Sequence, residues 1–196
     1  MDVAAMPHGI FSVCVYCGAR DGSDPDFAAD ATALGTVMAE RGWRLVYGAG
    51  DVGLMGRVAR AAQAAHGTTL GVIPAHLMAR EVGKTDLDTL VITETMHERK
   101  KVMIMNADAI VVLPGGAGTL DELFEALTWR QLGLHDKPVF LLNSKGYWTP
   151  FLELLKRVVS GGFADPSLVG MVTVAASVPA LADAVDFVAA SQGHHA

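Results

Sequence analysis

A glycine-rich turn that joins an apolar run to a helical pattern is the segment of this chain best suited to chemistry. Residues 109–113 are apolar, three of the next five residues are glycine, and Thr119 and Glu122 follow. Residues without side chains let backbone N–H groups converge on an anion, and the positive end of a helix dipole adds to the attraction. The turn therefore predicts a phosphate site, with the Glu122 carboxylate beside the molecule that the phosphate anchors.

Thr119 and Glu122 also fit a purely structural pattern. If Thr119 is the N-cap of the helix, Glu122 falls at its third position, and T-x-x-E is the capping box. Taken alone, the pattern favours neither interpretation. The glycines favour the phosphate site, because a capping box requires none of them.

The helix after this turn is predicted over residues 119–132, and its faces differ in character. The expected core stripe consists of Leu120, Leu123, Phe124 and Leu127. Another face carries Glu122, Glu125 and Trp129, and these side chains are free to line a cleft. Glu122 is then expected in the first turn, where the helix dipole favours its ionised form.

Three consecutive cations, at positions 99–101, begin another helical pattern directly after a strand. Such a cluster is more often a solvated face than a binding site. An acidic protein that binds phosphate nevertheless needs a local cation at the edge where strands end, and this run starts there. Four apolar residues behind it are expected in the core: Val102, Met103, Met105 and Ala107.

Composition restricts the possible partners. The 196-residue chain is 51% hydrophobic with a net charge of −6, which suits one compact domain and argues against general nucleic-acid binding. No apolar run reaches the ~18 residues of a membrane span, and residues 1–9 lack the features of a secretory signal. We therefore expect one cytoplasmic domain over residues 1–196, with flexible ends at 1–9 and 192–196 and no membrane partner.

Two cysteines stand three residues apart, in the spacing of redox and zinc motifs. Cys14 and Cys17, however, lie in or beside a predicted strand, where residues three apart face opposite sides. We expect two reduced thiols. The histidines show no ligand spacing and no acidic cluster is evident, so we expect neither a metal nor another cofactor.

Apolar, β-branched runs alternate with helical patterns along the chain. The runs cover residues 11–16, 44–47, 69–73, 90–93, 109–113, 139–142 and 172–175. This alternation predicts an α/β, doubly wound, mainly parallel sheet with helices on both faces. Binding is expected at the carboxyl ends of the strands, where loops 16–20, 47–56 and 114–119 should meet. The connection 74–88 is long enough to act as a flap over that edge.

Residues 48–53 formally match G-x-G-x-x-G, the dinucleotide-binding pattern. The next strand, however, ends at Ile73 and Pro74 without an acid to hold a ribose hydroxyl, and the nearest acid, Glu81, lies beyond it. The alternative is a glycine turn that packs the helix predicted over 54–66 close to the sheet. We therefore disfavour a nicotinamide-dependent oxidoreductase.

Taken together, two segments resemble the signature of the Lonely Guy family of cytokinin-activating phosphoribohydrolases. Residues 114–122 read P-G-G-x-G-T-x-x-E, and residues 96–100 read Met-His-Glu-Arg-Lys. The similarity extends over most of the chain, and the pair of motifs is much more specific than either alone. Two departures stand out: Ala49 replaces a usual glycine, and Ala117 stands where a tyrosine is frequent.

The resemblance implies a Rossmann-like homodimer that hydrolyses a nucleoside 5′-monophosphate to free base and ribose 5-phosphate. The preferred substrates of the family are N6-modified adenine ribotides. Arg99 and Glu122 match its proposed catalytic pair. The substrate-contacting positions match Glu81, Lys100, Gly115, Gly116, Ala117, Gly118, Thr119, Leu120, Asp121 and Thr128.

This chemistry agrees with the residues. Cleavage of the C1′–N bond develops oxocarbenium character on the ribose, and an adjacent carboxylate such as Glu122 can stabilise that charge or activate water. Arg99 keeps its proton at ordinary pH, so it suits orienting Glu122 or holding the ribose or phosphate. Asp121 and water are candidates for protonating the leaving base.

A non-catalytic nucleotide or cofactor carrier is the main alternative, since a carrier needs the phosphate loop but no anionic glutamate at the ribose. Relatives have also been called lysine decarboxylases. That activity uses pyridoxal phosphate, which needs a Schiff-base lysine and a partner for the ring nitrogen. The sequence shows no such constellation.

Overall fold

The strands form one parallel sheet. A computed structural model describes residues 9–78 and 84–194, and within these residues seven strands pair in the order β4-β3-β2-β1-β5-β6-β7. Every predicted strand is confirmed, each to within one residue at either end. The strands are β1 Ser12–Tyr16, β2 Arg44–Tyr47, β3 Thr69–Pro74, β4 Thr89–Thr93, β5 Ala109–Val112, β6 Val139–Leu142 and β7 Val172–Ala175.

Helices cover both faces of this sheet. They are α1 Pro25–Glu40, α2 Gly53–Ala64, α3 Met96–Met105, α4 Ala117–Gln131, α5 Thr149–Ser160 and α6 Val178–Ser191. One buried cluster joins the sheet to α1, α2 and α6, and a second joins it to α3, α4 and α5. The doubly wound α/β prediction is therefore confirmed. In the described part of the chain, no helix combines the length and apolarity needed to cross a membrane.

The two cysteines lie on opposite faces of the sheet. Cys14 belongs to the cluster under α3–α5, whereas Cys17 belongs to the cluster under α1, α2 and α6. Both are free and buried. The prediction of two unpaired thiols on opposite sides is confirmed.

The strand order reverses at β1, which pairs with β2 on one side and β5 on the other. Loops that leave two such strands diverge to opposite faces and open a crevice between them, the usual ligand site of doubly wound sheets. Here the two loops also touch, because the Gly18 N–H donates to the Pro114 carbonyl at 3.0 Å. The topology thus places the glycine-rich turn at this crevice.

Three residues predicted for the core are exposed instead. The buried stripe of α4 runs through Thr119, Leu123, Ala126 and Leu127. Leu120 and Phe124 lie beyond the edge of that stripe, about 20° and 60° round the helix from Leu127, and 36% and 40% of their surface is exposed. Met105 is also exposed, because Met103 and Ile104 carry the buried face at the end of α3.

The end of the described chain packs against the sheet. The His194 N–H donates to the Ala189 carbonyl at 3.0 Å, and the His194 ring lies edge-on to Phe11. These contacts join residue 194 to α6 and to the residue before β1, and the flexibility of residues 192–196 stays a prediction. Residues 1–8 and 195–196, which complete the two predicted tails, lie outside the described residues, as do residues 79–83 of the predicted flap.

Candidate active site

A cleft of about 490 Å³ opens at the carboxyl edge of the sheet. Its walls come from the loop after β1, the start of α2, the start of α3 and the glycine-rich turn with the start of α4. Phe27 and Tyr147 complete the lining. All three loops expected at one edge therefore contribute to a single cavity.

The glycine-rich turn starts α4 two residues earlier than predicted. Gly116 is the N-cap, with extended backbone angles, and Ala117 is the first helical residue. Thr119 is buried within the first turn, and Glu122 is the sixth residue of the helix. The capping box and the first-turn position of Glu122 are both wrong, because glycine takes the cap position that threonine was expected to fill.

A capping box does occur one helix earlier. Thr95 Oγ1 accepts from the Glu98 N–H at 3.2 Å, and Glu98 Oε2 accepts from the Thr95 N–H at 3.1 Å. The sequence carries the same T-x-x-E spacing here, so this signal was available. The box fixes the start of α3, where Arg99 lies.

Arg99 is buried and reaches the loop after β2. Only 4% of its surface is exposed, and its Nη2 donates to the Gly48 carbonyl at 2.8 Å. A Cβ on Gly48 would collide with that guanidinium nitrogen. The glycine at 48 thus makes room for Arg99, and a solvated charge run is the wrong description of both Arg99 and Lys100.

Lys100 joins α3 to α4. Its Nζ donates to Asp121 Oδ2 at 3.0 Å and to Glu125 Oε2 at 2.8 Å. Burial lowers the pKa of Lys100, but the hydrogen bonds to Glu125 and Asp121 outweigh this effect and the pKa is raised overall. The lysine is therefore a cation that partly neutralises two carboxylates, and it does not line the cleft.

Other ionisable groups of the cleft come from the loop after β1. Arg20 is exposed, whereas Asp21 accepts two hydrogen bonds from Arg57, at 2.7 and 2.8 Å. These bonds hold the pKa of Asp21 below its ordinary value. Burial, reinforced by the Glu122 charge, raises the pKa of the Cys17 thiol, so this sulfur is no ready nucleophile.

The structure brings together most of the residues that the sequence singled out. Arg99, Glu122, Gly115, Gly116, Gly118, Thr119 and Asp121 line the cleft. Ala117, Leu120 and Thr128 are exposed on α4 and do not line it. Glu81 lies outside the described residues. Phe27 and Tyr147 were not foreseen, since neither belongs to a motif.

The two departures from the family pattern differ in their surroundings. Ala49 is fully buried with φ +57°, a left-handed conformation that costs a residue other than glycine about 1–2 kcal/mol. This explains why glycine is usual at that position. Ala117 is the exposed first residue of α4, so its influence on a bound nucleotide stays a prediction.

Gly118 offers a direct test of the phosphate site. A Cβ built there meets no atom of the described residues within 4 Å, so their packing does not require glycine at this position. We expect Gly118→Ala to raise the melting temperature slightly, since alanine favours helix, and to weaken binding of ribose 5-phosphate about tenfold, because a methyl group fills the approach to the backbone. Calorimetric titration and thermal melting measure both effects.

Gly170→Ala is the matched control, because Gly170 is equally open and has no left-handed φ. It should leave ribose 5-phosphate binding unchanged. Unchanged binding in Gly118→Ala as well would show that no phosphate approaches this turn.

Comparison with known families gives a consistent picture. A family model described as "Possible lysine decarboxylase" matches residues 55–185. The chain is 46% identical over 154 residues to a probable cytokinin riboside 5′-monophosphate phosphoribohydrolase of Oryza sativa subsp. japonica, covering 79% of this chain and 67% of the relative. A second rice enzyme of that name is 47% identical, covering 77% and 62%. An Arabidopsis thaliana enzyme is 45% identical, covering 79% and 71%. The alignments thus span about two thirds of the relatives' lengths.

Solved structures with the same architecture include two proteins that handle molybdenum cofactor. The cofactor carrier protein of Chlamydomonas reinhardtii superposes with a TM-score of 0.72 at 24% identity, covering 93% of this chain and 99% of the carrier. The cofactor-binding protein of Rippkaea orientalis gives a TM-score of 0.69 at 22% identity, covering 92% and 98%. At these identities the likeness shows the fold alone.

Proposed function

This chain belongs to the Lonely Guy family of phosphoribohydrolases, and we propose that it hydrolyses the N-glycosidic bond of nucleoside 5′-monophosphates. The products are the free base and ribose 5-phosphate, and the preferred bases are adenines modified at N6. The observation that carries the proposal is that Arg99 and Glu122 line the same cleft as the glycine-rich turn.

The phosphate is the anchor of the bound substrate. The first turn of α4 presents backbone N–H groups without a capping side chain, which is the usual arrangement for an anion site. The ribose then lies within reach of Glu122 and Arg99, in a cleft whose other wall includes Phe27. This placement explains why a monophosphate rather than a nucleoside is the expected substrate.

Glu122 supplies the negative charge that the reaction needs. As the C1′–N bond breaks, positive charge develops on the ribose, and a carboxylate beside it stabilises that charge or removes a proton from attacking water. Arg99 stays protonated and holds the ribose or the phosphate, or orients Glu122. Because Asp121 is engaged by Lys100, we propose water as the source of the proton for the leaving base.

Two other activities fit the cleft less well. A carrier would need the phosphate loop but not the Arg99 and Glu122 pair. A lysine decarboxylase would need a lysine to bind pyridoxal phosphate, and in the described part of the chain no lysine lines the cleft. Lys100, which contacts Asp121 after the glycine-rich turn, is held between the carboxylates of Asp121 and Glu125.

The test is chromatography of free base after incubation with AMP and with isopentenyladenosine 5′-monophosphate, with the corresponding nucleosides as controls. Release from the monophosphates alone supports hydrolysis of a phosphate-anchored N-glycoside, and the ratio of the two rates measures the preference for N6 modification. Binding of both nucleotides without release would favour the carrier instead.

We also propose that the protein is a homodimer, as the family resemblance implies. Leu120 and Phe124 are exposed one turn apart on α4, and apolar side chains on one helix face are typical of a covered surface. Light scattering after gel filtration should give twice the chain mass, and Phe124→Glu should give the monomer mass. A wild-type protein that is monomeric at high concentration would contradict the proposal.

A cytoplasmic location is proposed for the same protein. The two cysteines are free, as is usual in a reducing compartment, and the net charge of −6 offers no general attraction for nucleic acid. Cell fractionation with an antibody to the chain tests the location.

A further inference from the structure

We propose that Tyr147 is a positioning residue, which holds the glycine-rich turn with its N–H groups towards the phosphate. The inference rests on the proposed function, because it concerns the phosphate site of that reaction. Tyr147 lies after β6, outside both motifs, and its side chain lines the cleft. Its Oη donates to the Gly115 carbonyl at 2.5 Å.

Three consecutive carbonyl groups of the turn are held by donors. The Pro114 carbonyl accepts from the Gly18 N–H at 3.0 Å, and the Gly116 carbonyl accepts from the Leu120 N–H at 3.0 Å. The Gly115 carbonyl, between them, accepts from Tyr147. The first two donors are backbone groups, whereas the third is a side chain that a substitution can remove.

These three bonds fix the direction of three N–H groups. In a trans peptide the C=O and the following N–H point in opposite directions, and the described chain has no cis peptide bond. The N–H groups of Gly115, Gly116 and Ala117 therefore point away from the three donors. None of the three is used in a hydrogen bond within the described part of the chain. Three unused N–H groups in consecutive residues at the start of a helix are suited to a phosphate.

The peptide that Tyr147 holds lacks the restraint on rotation that side chains give. It joins Gly115 to Gly116, and neither residue has a Cβ to restrict rotation. A Cβ on Gly116 would meet no atom within 4 Å, so no packing restrains that residue either. If this peptide rotated, a carbonyl oxygen would replace an N–H at the anion, which the Tyr147 hydroxyl prevents.

Tyr147 is itself well fixed. Its ring packs edge-to-face with Phe27 and with Trp148, at centroid distances of 5.6 and 5.1 Å. The turn before it is closed by the Trp148 N–H, which donates to Asn143 Oδ1 at 2.7 Å, and is tied to α1 by the Ser144 hydroxyl and Asp30. The hydroxyl therefore reaches Gly115 without ordering a mobile side chain.

Tyr147→Phe tests the role, because it removes only the hydroxyl and keeps the ring contacts. We expect the KM for AMP to rise about threefold to tenfold, and the inhibition constant of ribose 5-phosphate to rise by the same factor. The kcat should stay within about twofold of the wild-type value. Inhibition by adenine, which has no phosphate, should not change. Ser160→Ala is the control, since it removes a hydroxyl at the far end of α5 that donates to the Arg157 carbonyl at 3.1 Å, away from the turn that holds Tyr147.

Each outcome decides the inference. Unchanged constants in Tyr147→Phe, or an equal loss of adenine inhibition, would overturn it, and so would the same change in Ser160→Ala. If the wild-type protein releases no base, the proposed hydrolysis fails, but titration of ribose 5-phosphate into both proteins still tests Tyr147. Weaker binding by the variant then supports the inference, whereas equal binding, or none by the wild type, overturns it.

Discussion

Glu122→Gln is expected to lower kcat for base release by about 10²–10⁴-fold while leaving ribose 5-phosphate binding intact. The substitution keeps the size of the side chain and removes its charge. Without that charge, neither the oxocarbenium-like ribose nor the attacking water is stabilised by the protein. The phosphate site stays complete, because it is built from the backbone before the sixth residue of α4.

The measurement is the rate of base release from AMP, followed by chromatography, together with the melting temperature. Glu153→Gln on α5 is the matched control, since Glu153 is exposed and pairs with the exposed Lys156, at 2.8 Å. That variant should retain wild-type rate and stability. Near-normal turnover by a folded Glu122→Gln protein would remove Glu122 from the mechanism.

The architecture was predictable because the central strands of the sheet are buried on both sides. Runs such as 109–112 and 139–142 are apolar at every position, and a strand of that kind fits only the interior of a parallel sheet. The position of the phosphate turn followed from the same argument, because all parallel strands end at one edge. The sequence alone therefore sufficed to place the cleft.

The local details of the site were harder to predict from the sequence, because several residue types can fill the same structural position. Gly116 and Thr119 are both suitable N-caps, and only the folded backbone shows that Gly116 takes the position. The charge run at 99–101 reads as a solvated face, yet two of its three members are buried by contacts with the loop after β2 and with α4. In the second case the burial depends on contacts with residues far away in the sequence, which no local pattern reveals.

Tyr147 could not be found from the sequence for a related reason. Its contact joins residues 32 positions apart, through the carbonyl of a glycine that any donor could approach. No spacing rule connects the two residues. Only the packing of the turn after β6 against α1 brings the hydroxyl to the loop after β5.

The second large effect is expected at Arg99, where the structure separates two consequences of one substitution. Arg99→Ala should reduce kcat/KM by about 10²-fold or more, because a buried cation no longer faces the cleft. It should also lower the free energy of unfolding by about 1–3 kcal/mol, since the Gly48 carbonyl loses its donor. Denaturant unfolding and the base-release assay measure the two effects independently.

Arg99→Lys distinguishes positive charge from the shape of the guanidinium. Lysine keeps the charge, but its single ammonium cannot hold the Gly48 carbonyl and reach the cleft with a second, rigidly spaced nitrogen. We therefore expect Arg99→Lys to be closer to wild type in stability than in activity. Lys101→Ala is the control, because Lys101 lies two residues later and is exposed, and it should change neither property. Wild-type turnover in Arg99→Lys would mean that charge alone suffices, and wild-type turnover in a folded Arg99→Ala would exclude Arg99 from the reaction.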